Sequence, residues 1–174
     1  MKTLNLAWRF VGTSLLWFFF GFIGLILSIF VFPLLYLFVR GPERRQRAAR
    51  NLIAFAFAAF MWAGGAMRVF SFHVTGMEYR DPDRGQLILA NHPTLIDVVL
   101  LLSVLPQVDC VIKEAVKQNP FMRASVTTAN YISNREPSDL LASCVERLRS
   151  GASLLLFPEG TRSTNGRPLQ FKLG

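Results

Sequence analysis

A histidine and an aspartate stand five positions apart in Asn91-His92-Pro93-Thr94-Leu95-Ile96-Asp97. The pairing suits proton transfer: a carboxylate that holds one imidazole nitrogen leaves the other to act as a general base. Within one regular helix the spacing fails, because at about 100° per residue positions five apart point in different directions. Pro93 removes the difficulty. It favours the first position of a helix and keeps the residue before it out of the helical region. His92 then becomes a cap residue, able to fold back over the first turn toward Asp97. Thr94 and Asp97 also match a capping box, in which both side chains satisfy orphan backbone N–H groups, so this motif alone leaves two readings open.

A second constellation, Phe157-Pro158-Glu159-Gly160-Thr161-Arg162-Ser163, follows another apolar run. Gly160 permits close approach of the backbone, and Arg162 supplies a planar fork suited to phosphate oxygens. Glu159 can accept a bond from a substrate hydroxyl or hold the arginine, and by itself the pair also reads as a solvated surface turn. Ligands of open α/β sheets bind beyond the carboxyl ends of strands, and both constellations occupy such positions. Lys113 and Arg135 are further candidates for phosphate contact. Cys110 and Cys144 lack metal-ligand spacing, so reduced thiols and no metal are expected.

The elements that must position these residues alternate. Val69 to Thr75 alternates apolar and polar residues and predicts a strand ended by Gly76. Gln86 to Ala90 predicts a strand, Leu95 to Leu105 a helix, and Val108 to Ile112 a strand. Helical or irregular sequence runs from there to Asn119, where Pro120 breaks it. Tyr131 and Ile132 centre another strand. Ser138 fits as N-cap of a helix carrying Leu140, Leu141, Cys144, Val145 and Leu148 on one face, with Gly151 at its stop. Ser153 to Phe157 predicts the last strand. Such alternation argues for an α/β fold with strands and helices in a layered sheet.

Ahead of this lies a different composition. Hydrophobic residues make up 52% of the 174, and no charged side chain occurs from Phe10 to Val39. About 20 apolar residues cross a bilayer as a helix, so Leu15 to Val39 is long enough to span, with Pro33 as an expected kink. Leu52 to Met67 is shorter. Between them a basic loop is expected, with Arg40, Arg44, Arg45, Arg47 and Arg50 against Glu43. Positive charge prefers the cytoplasmic face. Two full spans would separate this loop from the region after Arg68. The expected arrangement is a spanning first segment, or a helical hairpin lying in one leaflet, with the loop and the His92 region both cytoplasmic. The net charge of +8 beside apolar segments favours an anionic lipid surface over nucleic acid. The chain divides into 1–68, a membrane-anchoring hairpin, and 69–174, the α/β domain.

Together, in order and intact, the Asn-His-four-residues-Asp block and the Phe-Pro-Glu-Gly-Thr-Arg-Ser block resemble those of the glycerolipid acyltransferases that acylate lysophosphatidic acid and related lipids. Lys113-Glu114, Pro120-Phe121 and Tyr131-Ile132-Ser133-Asn134-Arg135 resemble the middle stretch of that family, without its glycines: Arg123, Ala124 and Ala129 stand there. The resemblance implies acyl transfer from an acyl-carrier protein or coenzyme A thioester to the hydroxyl of a lysophospholipid, with 1-acyl-sn-glycerol-3-phosphate giving phosphatidic acid. His92 would be the base and Asp97 its orienting partner. Arg162, Lys113 and Arg135 would hold the acceptor phosphate, and Glu159, with Gly160 and Thr161 beside it, would position the glycerol. Neither an acyl-enzyme nor a cofactor is implied. Another lysolipid or an amino-acid lipid is an alternative acceptor, and a non-catalytic anionic-lipid binder is the alternative outside enzymes. Since the family continues with a further strand and a Val-Pro-rich block, the domain is expected to run on past Gly174.

Overall fold

The computed structural model describes residues 2–81, 84–91, 94–135 and 137–158. One apolar helical rod opens the chain. Helix α1 (Lys2–Ile26) continues through a π-helical turn (Leu27–Val31) into α2 (Phe32–Phe38) without leaving helical backbone angles. The expected kink at Pro33 takes the form of this turn. A proline lacks the N–H and clashes with the carbonyl four residues back. The wider turn lies just before it, with the Phe32 N–H donating to the Leu27 carbonyl.

The basic segment is a helix instead of the expected loop. Only Val39–Gly41 connect α2 to α3 (Pro42–Ala66), a single 25-residue helix that holds both the arginines and the second apolar segment. Gly41 adopts φ 88°, and Pro42 stands at the start of the helix, where its missing N–H costs nothing. Arginine, alanine and glutamine then propagate it.

Val69–Thr75 is not a strand either. It runs as an irregular connector without a strand partner among the described residues. Its first two apolar side chains are claimed by the helices: Val69 is buried with Leu16, Phe60, Met61 and Val99, and Phe70 packs against them, while Phe72 is exposed. A Cβ at Gly64 would lie 2.1 Å from the Phe70 ring, so that glycine makes room for the aromatic side chain. The Trp8 indole N–H and the Arg9 guanidinium donate to the Met67 and Val69 carbonyls at 2.9 and 3.0 Å, pinning the start of the rod to this connector.

The other expected elements form. Strands β1 (Leu87–Leu89), β2 (Asp109–Ile112), β3 (Ile132–Ser133) and β4 (Leu154–Leu156) build a parallel sheet in the order β1-β4-β2-β3. The crossovers are α4 (Leu95–Val104), the pair α5 (Glu114–Gln118) and α6 (Pro120–Thr128), and α7 (Pro137–Arg149). Helix α6 was not legible as such. Pro120 ends α5 and opens α6, with the Asn119 side chain accepting from the Phe121 N–H as N-cap. Helix α7 starts at Pro137, so Ser138, expected as its cap, stands inside the first turn instead; its side chain lies outside the described residues. On α7, Leu141 is exposed, in contrast to Leu140 and Cys144 on the same expected face.

The main core joins both parts of the chain: Phe32, Ala49 and Ile53 from the N-terminal helices pack with Leu102, Val108, Val126 and Leu155. Its polar centre is Arg50. The guanidinium donates to the carbonyls of Ala129 (3.0 Å) and Gln107 (3.1 Å) and pairs with Asp109 at the start of β2. Thus α3 is bolted to the sheet by a buried ion pair as well as by apolar contact.

Candidate active site

Strands β1 and β4, whose carboxyl ends lead into the two sequence motifs, are hydrogen-bonded neighbours. Leu87, Ile88 and Leu89 stand opposite Leu154, Leu155 and Leu156, and the Ala90 N–H donates to the Leu156 carbonyl at 3.1 Å. Parallel neighbours lie about 4.8 Å apart. Asn91 and Pro158 therefore leave the sheet side by side, although more than sixty positions separate them in the chain. His92 itself, and Glu159, Gly160, Thr161 and Arg162, lie outside the described residues.

Helix α4 starts at Leu95 with Thr94 as its N-cap, so the first helical position expected at Pro93 and the cap expected at His92 fall two residues later, and Asp97 sits in the first turn. Thr94 and Asp97 form the capping box, with the Asp97 carboxylate accepting from the Thr94 N–H. The structural role foreseen for the aspartate is thus present. A carboxylate has two oxygens and about four acceptor sites, more than the capping bond takes up.

Lys113 follows β2 directly and caps α5, while Arg135 follows β3. These strands also pair, and their ends are stitched together. The Asn134 N–H donates to the Ile112 carbonyl, and the Glu114 N–H donates to the Asn134 side chain, both at 3.0 Å. The Ser133 hydroxyl donates to the Glu114 carboxylate, and this bond is the main reason the carboxyl is held below its ordinary range; desolvation opposes it, and Gln118, Lys117 and Arg135 add smaller effects in the lowering direction. Lys113 and Arg135 thus both stand on the carboxyl edge shared by the two motifs. Their surroundings differ: Lys113 lines an apolar cavity, and Arg135 lines a polar cleft with Glu114, Lys117 and Asp139.

That apolar cavity is the feature for which the sequence carried no signal. It encloses about 730 Å³ between the N-terminal helices and the sheet. Phe20, Gly24 and Leu27 form one wall, Leu95 and Val98 of α4 another, and the carboxyl ends of β2 and β4 reach it through Ile112 and Phe157. An apolar space beside polar strand ends suits a ligand with a hydrocarbon tail and a polar head. Cys110 lines it too, but as an inert wall. Burial pushes its thiol up to about 12, with Asp109 adding to the rise and Arg50 opposing it, so it is no nucleophile at neutral pH.

A parallel sheet over an apolar cavity walled by an apolar helical rod defines an α/β protein of layered strands and helices. The acyltransferase family model matches residues 71–174, and the chain belongs to that family. It is 30% identical over 125 residues to a chloroplastic 1-acyl-sn-glycerol-3-phosphate acyltransferase of Arabidopsis thaliana, covering 68% of this chain and 35% of that protein. With the 1-acyl-sn-glycerol-3-phosphate acyltransferase of Helicobacter pylori it shares 34% over 96 residues, 51% of this chain and 40% of the other. The fold is that of the crystal structure of the 1-acyl-sn-glycerophosphate acyltransferase PlsC from Thermotoga maritima, with a TM-score of 0.70 at 24% identity over 94% of this chain and 67% of that one. The chain spans between about a third and two fifths of the length of the curated relatives it matches.

Proposed function

We propose that this chain carries the acyl-transfer centre of a lysophospholipid acyltransferase. The reaction moves a fatty acyl group from a coenzyme A or acyl-carrier-protein thioester to the hydroxyl of 1-acyl-sn-glycerol-3-phosphate, giving phosphatidic acid. The observation that carries the reading is the adjacency of β1 and β4, with the carboxyl end of β4 lining the apolar cavity. It supports a single site built from both motifs, whereas two unrelated surface turns would have no reason to leave neighbouring strands.

In this mechanism His92 removes the acceptor hydroxyl proton as the oxygen attacks the thioester carbonyl. Asp97 orients the imidazole and stabilises the imidazolium. The tetrahedral intermediate collapses with loss of the thiolate, which takes the proton back from His92. Arg162 and Lys113 hold the acceptor phosphate with Arg135 near the edge, Glu159 positions the glycerol, and the cavity takes a hydrocarbon chain. The names of the relatives favour a lysophosphatidate acceptor over other lysolipids. The alternative of a purely anionic-lipid binder is weakened by Arg50, which is spent on the protein core instead of facing a membrane.

Membrane attachment fits the same reading. The rod Asn5–Phe38 is 34 residues long, and it is long and apolar enough to cross a bilayer. It nevertheless touches the rest of the fold from Trp8 to Leu35, about 40 Å of helix at 1.5 Å per residue. A hydrocarbon core is about 30 Å thick. A rod packed against the domain along that length supports embedding in one leaflet, with α3's basic start and the catalytic edge on the same cytoplasmic face.

The decisive experiment is turnover of labelled thioester with lysophosphatidate in vesicles. His92→Ala is expected to lower it by about two to four orders of magnitude with membrane association intact; near-normal turnover overturns the assignment. Arg162→Lys, which keeps charge but loses the fork, is expected to raise the acceptor KM more than the donor KM. Equal effects on both would refute its role at the phosphate.

A further inference from the structure

The rim of the cavity is chemically divided. Its polar sector is Lys113 and Asn134, both exposed at the strand ends. Its apolar sector is Ile23 of α1 with Phe121 and Met122 of α6, which line the cavity while being 48%, 57% and 39% exposed. A residue that faces both an interior space and the outside marks an opening. Exposed aromatic and thioether side chains at an opening are costly in water unless something covers them.

The surroundings of this sector identify the cover. The Ser28 hydroxyl, in the π turn, donates to the Phe121 carbonyl and so fixes the first turn of α6 against the apolar rod. Beside Ser28 the outward face of the π turn carries Ile29 and Phe30, 54% and 60% exposed, so the apolar lip is continuous with the apolar surface of the rod. Exposed Lys117 and Arg123 flank the lip in sequence. An apolar patch edged by cations suits the boundary between acyl chains and phosphate headgroups.

We infer that the first turn of α6 inserts into the bilayer beside the π turn, so that the cavity opens sideways into the acyl region and a lipid chain passes into it without crossing water. The role of the opening rests on the proposed lipid chemistry; the depth of α6 in the membrane does not, and the two are tested apart. Single cysteines at Met122→Cys, at Phe30→Cys on the rod and at Leu141→Cys on α7 are to be labelled with an environment-sensitive fluorophore in the Cys144→Ser background. Cys110 remains, since its buried thiol does not compete. The labelled chains are bound to vesicles of phosphatidylglycerol and phosphatidylcholine carrying a nitroxide on the acyl chain. Strong quenching at positions 122 and 30, with none at 141, is the expected result, and Phe121→Cys serves as the second position if Met122→Cys misfolds. A label on α6 that behaves like position 141 while position 30 is quenched overturns the inference and leaves the acyltransferase reading untouched. As the functional arm, Phe30→Gln, on the outward face and outside the cavity lining, is expected to raise the KM for acceptor embedded in vesicles but not for a short-chain acceptor dispersed as monomers. An equal rise for both overturns sideways entry.

Discussion

Replacing Arg50 by methionine should unfold the contact between α3 and the sheet, and the size of the effect follows from what the guanidinium holds. Its side chain is 5% exposed and that of Asp109 1%. It satisfies one carboxylate oxygen and two backbone carbonyls, those of Ala129 and Gln107. Methionine fills much of the same volume, so the cost is mainly electrostatic. Asp109 would keep only Arg147, whose guanidinium stands 3.7 Å from its other oxygen and which is itself part-exposed. Removing one partner of a buried pair costs about 3–5 kcal/mol. For a chain of this length that corresponds to a fall in Tm of roughly 6–20 °C. The assay is thermal unfolding followed by circular dichroism in a non-denaturing detergent. Arg50→Lys should fall between, since it keeps the charge and loses the fork. The double variant Arg50→Met with Asp109→Leu should recover much of the loss, because no buried charge is left unpaired. Arg44→Met, on the exposed side of the same helix, should change stability by no more than about 0.5 kcal/mol. A melting point for Arg50→Met within about 2 °C of the parent, a loss of under roughly 1 kcal/mol, would refute the reasoning.

Gly24 lines the cavity, and a Cβ built there meets nothing within 4 Å. Gly24→Leu should therefore shorten the preferred acyl chain, at about 0.8 kcal/mol or roughly fourfold per excluded methylene, in a turnover series over chain lengths; a loss uniform across lengths would argue against the cavity as the chain site. The Cys110 thiol is pushed up to about 12 by burial from an ordinary value of 9.0. Below pH 9 both folded and unfolded chains hold this proton, whereas above it the unfolded chain releases it first. Stability should then fall by about 1.4 kcal/mol per pH unit above roughly pH 9, with Tyr131, also raised by burial, adding a loss of the same sign. Urea midpoints should show a shallower alkaline decline for Cys110→Ala, and an unchanged slope would contradict this. Single cysteines at Arg44→Cys and Arg84→Cys, both exposed sites, should react with an impermeant thiol reagent from the same side of sealed vesicles; labelling from opposite sides would restore two full spans.

Local patterns account for much of what could be read directly from the chain. The α/β alternation was legible because parallel strands appear as short apolar runs, even at edge strand β1 where Leu87 and Leu89 are exposed, and Gly151 marked the end of α7 with its positive φ of 83°. The chemistry of the two motifs was legible because proton transfer and phosphate contact require particular side chains at particular spacings. Tertiary packing decided the rest. The arginines from Arg44 to Arg50 read as an exposed cytoplasmic loop because charge suggests exposure, yet one of them is the polar centre of the core: no local pattern reports a partner 59 positions away. Val69–Thr75 alternates like a strand, but a strand needs a neighbour to bond, and here the helices take up Val69 and Phe70 instead. The adjacency of β1 and β4 and the volume of the cavity are likewise products of chain crossing. A sequence specifies which residues can do chemistry, while the distance between strands far apart in the chain exists only after they pair.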